Sequence, residues 1–250
     1  MDAIRAYAIP AAGDAFAELS ASVRFEVSGK GRQGAVLTRP DARGAPLVRT
    51  TTPYAAPAQC FGAIHERLAQ QVQHAAALAV EFNNALIETY TNGYTTMGAH
   101  SDQALDLADD SFIAVFSCYE RPVAGRPPRV LLVESKEPGG ARLEIPLSHN
   151  SAVVFSVAAN AWFKHKIVLS GAAGAENRWL GVTFRTSKTF VQYRDGAAHF
   201  ADGARLTLAD GEQKRAFYSL RRRENAEPDF VYPRLGYTIC ESDLLPPVRG

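Results

Sequence analysis

Cysteine is scarce in this chain: Cys60, Cys118 and Cys240 are the only three in 250 residues. An odd, scattered set cannot build a disulfide framework, so a reducing, cytoplasmic setting is expected. Cys118 sits in an apolar run and reads as a small buried hydrophobe. No apolar run reaches the roughly 20 residues of a membrane span, and none follows basic residues at the N-terminus, so neither a membrane partner nor a secretory leader is expected. Charge of one sign is missing too. Lys and Arg number 27 against 26 Asp and Glu, a formal +1 that gives no global pull toward nucleic acid or anionic lipid. Only Arg221-Arg222-Arg223 forms a dense basic run. Internal repeats are absent, and no pattern specifies an oligomeric state.

What is present is an ordinary globular composition, 46% hydrophobic and 21% charged, read as one domain over 1–250. Residues 1–57, rich in Gly, Pro and Thr, suggest a cover of strands and loops. Phe61, Ile64, Leu68, Val72, Ala75 and Ala79 fall on one helical stripe and predict a helix over 58–80. Then the texture turns to β: Leu86–Tyr90, Phe112–Tyr119, Arg129–Glu134, Ser151–Val157, Lys166–Leu169, Trp179–Arg185 and Thr189–Tyr193, with a hairpin turn at Pro138-Gly139-Gly140. Short strands with Gly/Pro turns and one flanking helix predict a mainly β, double-sheet architecture of jelly-roll type, with its catalytic core over 58–193. A C-terminal extension, 194–250, carries a second predicted helix over 208–225, capped by Thr207 and ended before Pro228.

His100 and Asp102 stand two residues apart, so on an extended segment both side chains share one face. His165 follows Asp102 by 63 residues. Two imidazoles and a carboxylate, with open positions opposite, are the donor set of a non-haem Fe(II) centre. The competing reading is a loop pair joined by a local hydrogen bond. Arg185 follows His165 by 20 residues. A guanidinium inside a barrel is costly without an anion, and a dicarboxylate cosubstrate chelating iron at its other end would supply one. Thr183 shares that face and offers a hydroxyl; an edge-strand surface arginine is the alternative for Arg185. His65, His74, His149 and His199 have no acid at ligand spacing and are expected at the surface.

The segment Phe82-Asn83-Asn84-Ala85-Leu86-Ile87-Glu88-Thr89-Tyr90, followed by His100-Ser101-Asp102, resembles the F-N-x-x-L-x-x-x-Y…H-x-D stretch of the AlkB-like Fe(II)/2-oxoglutarate-dependent dioxygenases. His165-Lys166-Ile167 and Val182-Thr183-Phe184-Arg185 are similar to that family's later H-x-I and L-T-F-R elements, and the resemblance covers roughly 45–190. It implies a double-stranded β-helix with Fe(II) on His100, Asp102 and His165. It further implies 2-oxoglutarate held by Arg185 with help from Tyr90, and O2 as oxidant. Tyr90 as a plain core tyrosine is the alternative.

Three positions depart from the family pattern. Glu88 stands where Asn is usual. The arginine usually found six residues before the last is replaced by Trp179, leaving Arg178 one residue out of phase; a bulge at Gly181 would bring it back as a second cosubstrate ligand. After H-x-D, Gln103-Ala104-Leu105 lacks the second acid common in nucleic-acid-repairing members. The expected substrate is therefore a small molecule or amino-acid-like compound under a cover near Arg49–Tyr54, with hydroxylation or oxidative dealkylation as the reaction. A demethylase of N-alkylated DNA or RNA bases is the alternative, and an inactive binding protein a remote one.

Overall fold

Alternation along residues 179–185 sets the layers. Leu180, Val182 and Phe184 enter one apolar cluster, while Trp179 enters another on the opposite face. The computed structural model describes residues 4–10, 13–122, 125–170 and 175–249. Its strands are β1 (Ile4–Ala8), β2 (Glu26–Gly29), β3 (Arg32–Thr38), β4 (Ala45–Leu47), β5 (Gln59–Cys60), β6 (Asn84–Tyr90), β7 (Phe112–Tyr119), β8 (Arg129–Ser135), β9 (Arg142–Pro146), β10 (Ser151–Ser156), β11 (Phe163–Leu169), β12 (Trp179–Arg185), β13 (Thr189–Arg194) and β14 (Ala197–Phe200). The α-helices are α1 (Ala15–Ala21), α2 (Ala63–Ala75), α3 (Val157–Trp162) and α4 (Gly211–Ala226).

The main sheet runs β1-β10-β7-β12-β6-β3-β2, antiparallel throughout that path, with β5 added parallel to β3. A second antiparallel sheet, β11-β8-β9, faces it. One face of the main sheet packs on α1 and α2 through Leu37, Val72, Ile87, Phe116 and Phe184. Its other face meets the smaller sheet through Val115, Leu131, Val153 and Ile167. This is the expected mainly β, double-stranded β-helix architecture with a flanking helix. The N-terminal segment is more than a cover: β1, β2 and β3 are strands of the main sheet.

Three local expectations need correction. Helix α2 is shorter than 58–80, because Gln59 and Cys60 are drawn into β5 and Ala77 turns left-handed at φ 50° just past its end. The cap of α4 is Asp210, whose side chain accepts from Gln213 N–H, while Thr207 is taken up pairing with Tyr237. His65 is not at the surface; it is 1% exposed. Its Nδ1 accepts the Gly62 N–H at 2.9 Å, so Nε2 carries the proton and donates to Ser22 Oγ at 2.9 Å.

Burial pushes the His65 imidazole down from 6.5 to about 4. Between those values the unfolded chain holds a proton that the folded chain refuses, so stability falls as pH drops through this window. That difference corresponds to about 3 kcal/mol between pH 7 and pH 4. Denaturant titrations of the wild type and His65→Gln across that range should show a steeper decline in the wild type. Parallel curves would rule out His65 as the cause.

Candidate active site

The segment before the H-x-D motif is extended and runs antiparallel to β11, with bridges Thr96 to Val168 and His100 to His165. Reciprocal backbone hydrogen bonds of 3.0 and 2.7 Å lock His100 and His165 directly opposite each other. Their rings lie 4.9 Å apart. Asp102 Oδ1 is 3.9 Å from His100 Nε2 and 3.5 Å from His165 Nε2. The three donor atoms all fall within 4.8 Å of one another, the arrangement a facial-triad metal requires. His100 Nδ1 donates to the Gly98 carbonyl at 2.8 Å, which leaves the Nε2 lone pair free for a metal. Burial and the neighbouring His165 push the His100 imidazole down to about 4, so it is neutral at pH 7. Burial raises the Asp102 carboxyl, but Arg185 and the two imidazoles outweigh it and hold it well below the carboxylate range.

Sequence reasoning missed the residue that sets the Asp102 backbone. Asn160, on α3, accepts the Asp102 N–H at 2.8 Å and donates to its carbonyl at 2.7 Å. It lies 58 residues from its partner, and no periodicity marks it.

Arg185 and Thr183 both line the cavity beside the triad. In this structure Arg185 is not free: its Nε donates to Asp102 Oδ2 at 2.7 Å, and its Nη2 stands 2.7 Å from the same oxygen as an ion pair. Tyr90 is fully buried and donates to Glu88 Oε2 at 2.7 Å. Arg178 does not reach the cavity. It shares the parity of Leu180, Val182 and Phe184, so it emerges on the α1 side, over the Phe16 ring and paired with Glu120 at 2.7 Å. The expected bulge is absent, for β12 pairs without interruption from Trp179↔Tyr90 to Arg185↔Asn84. Gly181 is required for another reason: a Cβ there would come 2.0 Å from the Trp179 ring, which lies across it.

The cavity holds about 750 Å³. Arg32 of β3 lines it, with its Nε 2.7 Å and Nη2 2.5 Å from Glu88 Oε1. On the opposite side α4 presents Tyr218, Arg221, Arg222 and Asn225, an i, i+3, i+4, i+7 stripe. The C-terminal extension therefore forms a wall of the site. Asn225 accepts the Ser101 N–H at 2.9 Å, Arg221 donates to the Ser101 carbonyl at 2.8 Å, and Glu224 accepts the Ala104 N–H at 2.8 Å. These bonds grip the loop that carries Asp102 on both sides. Thr50, Thr51 and Thr52 line the same cavity, as expected of the cover, and Arg49 borders it while its guanidinium is buried on Asp106.

A family model described as the 2OG-Fe(II) oxygenase superfamily matches residues 33–185. No curated protein matches the chain. Among solved structures, a prolyl-4-hydroxylase of Pseudomonas putida is 13% identical with a TM-score of 0.41, covering 74% of this chain and 92% of that one. OsALKBH1 is 12% identical with a TM-score of 0.42, covering 65% of this chain and 83% of that one.

Proposed function

Because the chain belongs to the 2OG-Fe(II) oxygenase superfamily, we propose that it hydroxylates, or oxidatively dealkylates, a small-molecule or amino-acid-like substrate. The motif pattern around His100, His165 and Arg185 favours the AlkB-like branch. The donor set fits the metal: the His100 and His165 imidazoles and the ionised Asp102 carboxylate converge on a point. Cations fit the cosubstrate, because Arg185 and Arg32 both line the cavity next to the triad. Together Fe(II), 2-oxoglutarate and O2 supply the oxidant that inserts oxygen into a C–H bond, with succinate and CO2 released.

The protein's own residues hold and orient. His100, Asp102 and His165 carry the metal. Arg185 keeps Asp102 ionised and anchors its Oδ2 through a hydrogen bond from Nε and a close ion pair from Nη2. Asn160 and Asn225 fix the loop backbone on either side of Ser101 and Asp102. Thr50–Thr52 and the α4 stripe surround the space in which a substrate would sit.

The observation that carries the substrate reading is the fate of the nearest acid after H-x-D. Asp106 is 1% exposed and wholly engaged by Arg49, so it cannot read an exocyclic base group. Ala104, closer in sequence, has no acceptor. Succinate formation by the iron-loaded protein should rise with members of an amino-acid and metabolite panel, with equimolar hydroxylated or dealkylated product. Methylated oligonucleotides should leave it unchanged. Formaldehyde released from a methylated oligonucleotide in step with succinate would replace this reading with a nucleobase demethylase.

A further inference from the structure

We propose that Arg32, on β3, is the residue that takes the distal carboxylate of 2-oxoglutarate, a role the sequence assigned to Arg185. The inference rests on the cosubstrate reading above. A dicarboxylate whose 2-oxo acid end binds the metal carries its second carboxylate two methylenes deeper, and a carboxylate buried there needs a cation. Five arginines line the cavity: Arg32, Arg49, Arg185, Arg221 and Arg222. Arg49 is committed to Asp106 and to the carbonyls of Leu235 and Tyr237. Arg185 is committed to Asp102, a metal ligand, and so stands at the metal end. On α4, Arg221 is committed to the Ser101 carbonyl, and Arg222 is exposed at the solvent side of that wall, where a buried carboxylate would not reach it.

Arg32 remains, and it stands at the other end. Its register partner on β6 is Tyr90, whereas Arg185 pairs with Asn84, six positions away along that strand. At about 3.3 Å per residue the two arginine positions are roughly 20 Å apart along the sheet, a span that two inward-reaching arginine side chains narrow. Between them the wall is apolar, from Leu86, Val115, Leu131 and Ile167, which suits a pair of methylenes. On β12 the position opposite Tyr90 is Trp179, so that strand offers no cation there.

The charge balance at this end also fits. Glu88 neutralises Arg32 and receives the Tyr90 hydroxyl. A second buried guanidinium, Arg129, stands 5.2 Å from the Tyr90 ring, and its hydrogen bonds go only to the Thr91 and Tyr94 carbonyls. Among the described residues it has no carboxylate partner. Among the buried groups, two guanidiniums and one carboxylate leave a net positive charge, which the distal carboxylate would neutralise; Glu176, which also acts on Arg129, is exposed to solvent. Glu88 is then the group with which the ligand shares Arg32, and that explains an acid at a position lining an anion site.

Calorimetric titration of the Mn(II)-loaded protein with 2-oxoglutarate and with 2-oxobutyrate tests this, since the second acid keeps the chelating head and lacks the distal carboxylate. Wild type should prefer 2-oxoglutarate. Arg32→Ala should weaken 2-oxoglutarate by about 30-fold or more, as truncation of a buried charge partner does, while 2-oxobutyrate binding is unchanged. Glu88→Gln should move the other way and tighten 2-oxoglutarate, which keeps the test decisive if Arg32→Ala folds poorly. Equal losses for both acids in Arg32→Ala would overturn the assignment to Arg32, and an unchanged preference there with its collapse in Arg185→Ala would return the role to Arg185. Failure of wild type to bind either acid while still binding Mn(II) would remove the cosubstrate reading itself, and this proposal with it.

Discussion

Asp102→Ala should eliminate iron-dependent succinate formation and, in the metal-free protein, should also lower the melting temperature. The second effect follows from Arg185. Its guanidinium makes two 2.7 Å contacts to one Asp102 oxygen, and the two side chains are 9% and 6% exposed. Removing one partner strands a buried charge, which costs about 3–5 kcal/mol. In a domain of this size that corresponds to a drop of roughly 6–20 °C. His100→Ala should separate the two effects. About a third of the His100 side chain is exposed and it pairs with no buried cation, so turnover should vanish with only a small change in melting. Asp102→Asn keeps an acceptor for Arg185 and should lie between. Calorimetric Fe(II) titration and thermal melts of all three variants check this. Melting of Asp102→Ala at the wild-type temperature would show that the Asp102–Arg185 pair contributes nothing to the fold.

The triad was legible because its information is local: donor types, a spacing of two, and strand alternation. The same alternation makes Thr183 and Arg185 point inward. It equally puts Arg178 on the outer face, and only the postulated bulge at Gly181 obscured that. The glycine answers instead to an indole lying across it. What stayed hidden is what long-range pairing decides. Arg32 meets Glu88 across 56 residues, Asn160 meets Asp102 across 58, and Arg221 meets Ser101 across 120. No periodicity connects such positions. The basic run at 221–223 was visible, yet its division of labour was not: Arg221 turns inward to the site, while Arg223 pairs with Glu227 on the surface. The strands of the N-terminal segment were weakly signalled for a related reason. β3 carries Gly34 where a Cβ would meet the Tyr54 hydroxyl at 2.4 Å, so the side-chain alternation of a continuous strand is broken by packing from outside it.

Arg49→Ala should be the most damaging change outside the triad. Arg49 is 3% exposed and Asp106 1%. From Arg49 the backbone N–H and Nε donate to Asp106 Oδ2 at 2.9 and 3.0 Å, and Nη2 donates to Oδ1 at 2.8 Å. Its Nη1 donates to the carbonyls of Leu235 and Tyr237 at 2.8 and 2.9 Å. One side chain thus joins the cover, the turn after H-x-D and the C-terminal segment that follows α4. Truncation leaves a buried carboxylate and two carbonyls without this donor, and breaking such a pair costs about 3–5 kcal/mol. The site should suffer with the fold, because the Asp106 turn directly follows the loop that α4 grips at Ser101 and Ala104. The paired replacement Arg49→Met with Asp106→Leu leaves no stranded charge, and should recover much of the lost stability without restoring the C-terminal carbonyl contacts. Denaturant unfolding of both single variants and the double variant gives the coupling energy. A value near zero would mean that the cover and the C-terminal wall are held to the catalytic loop by packing alone.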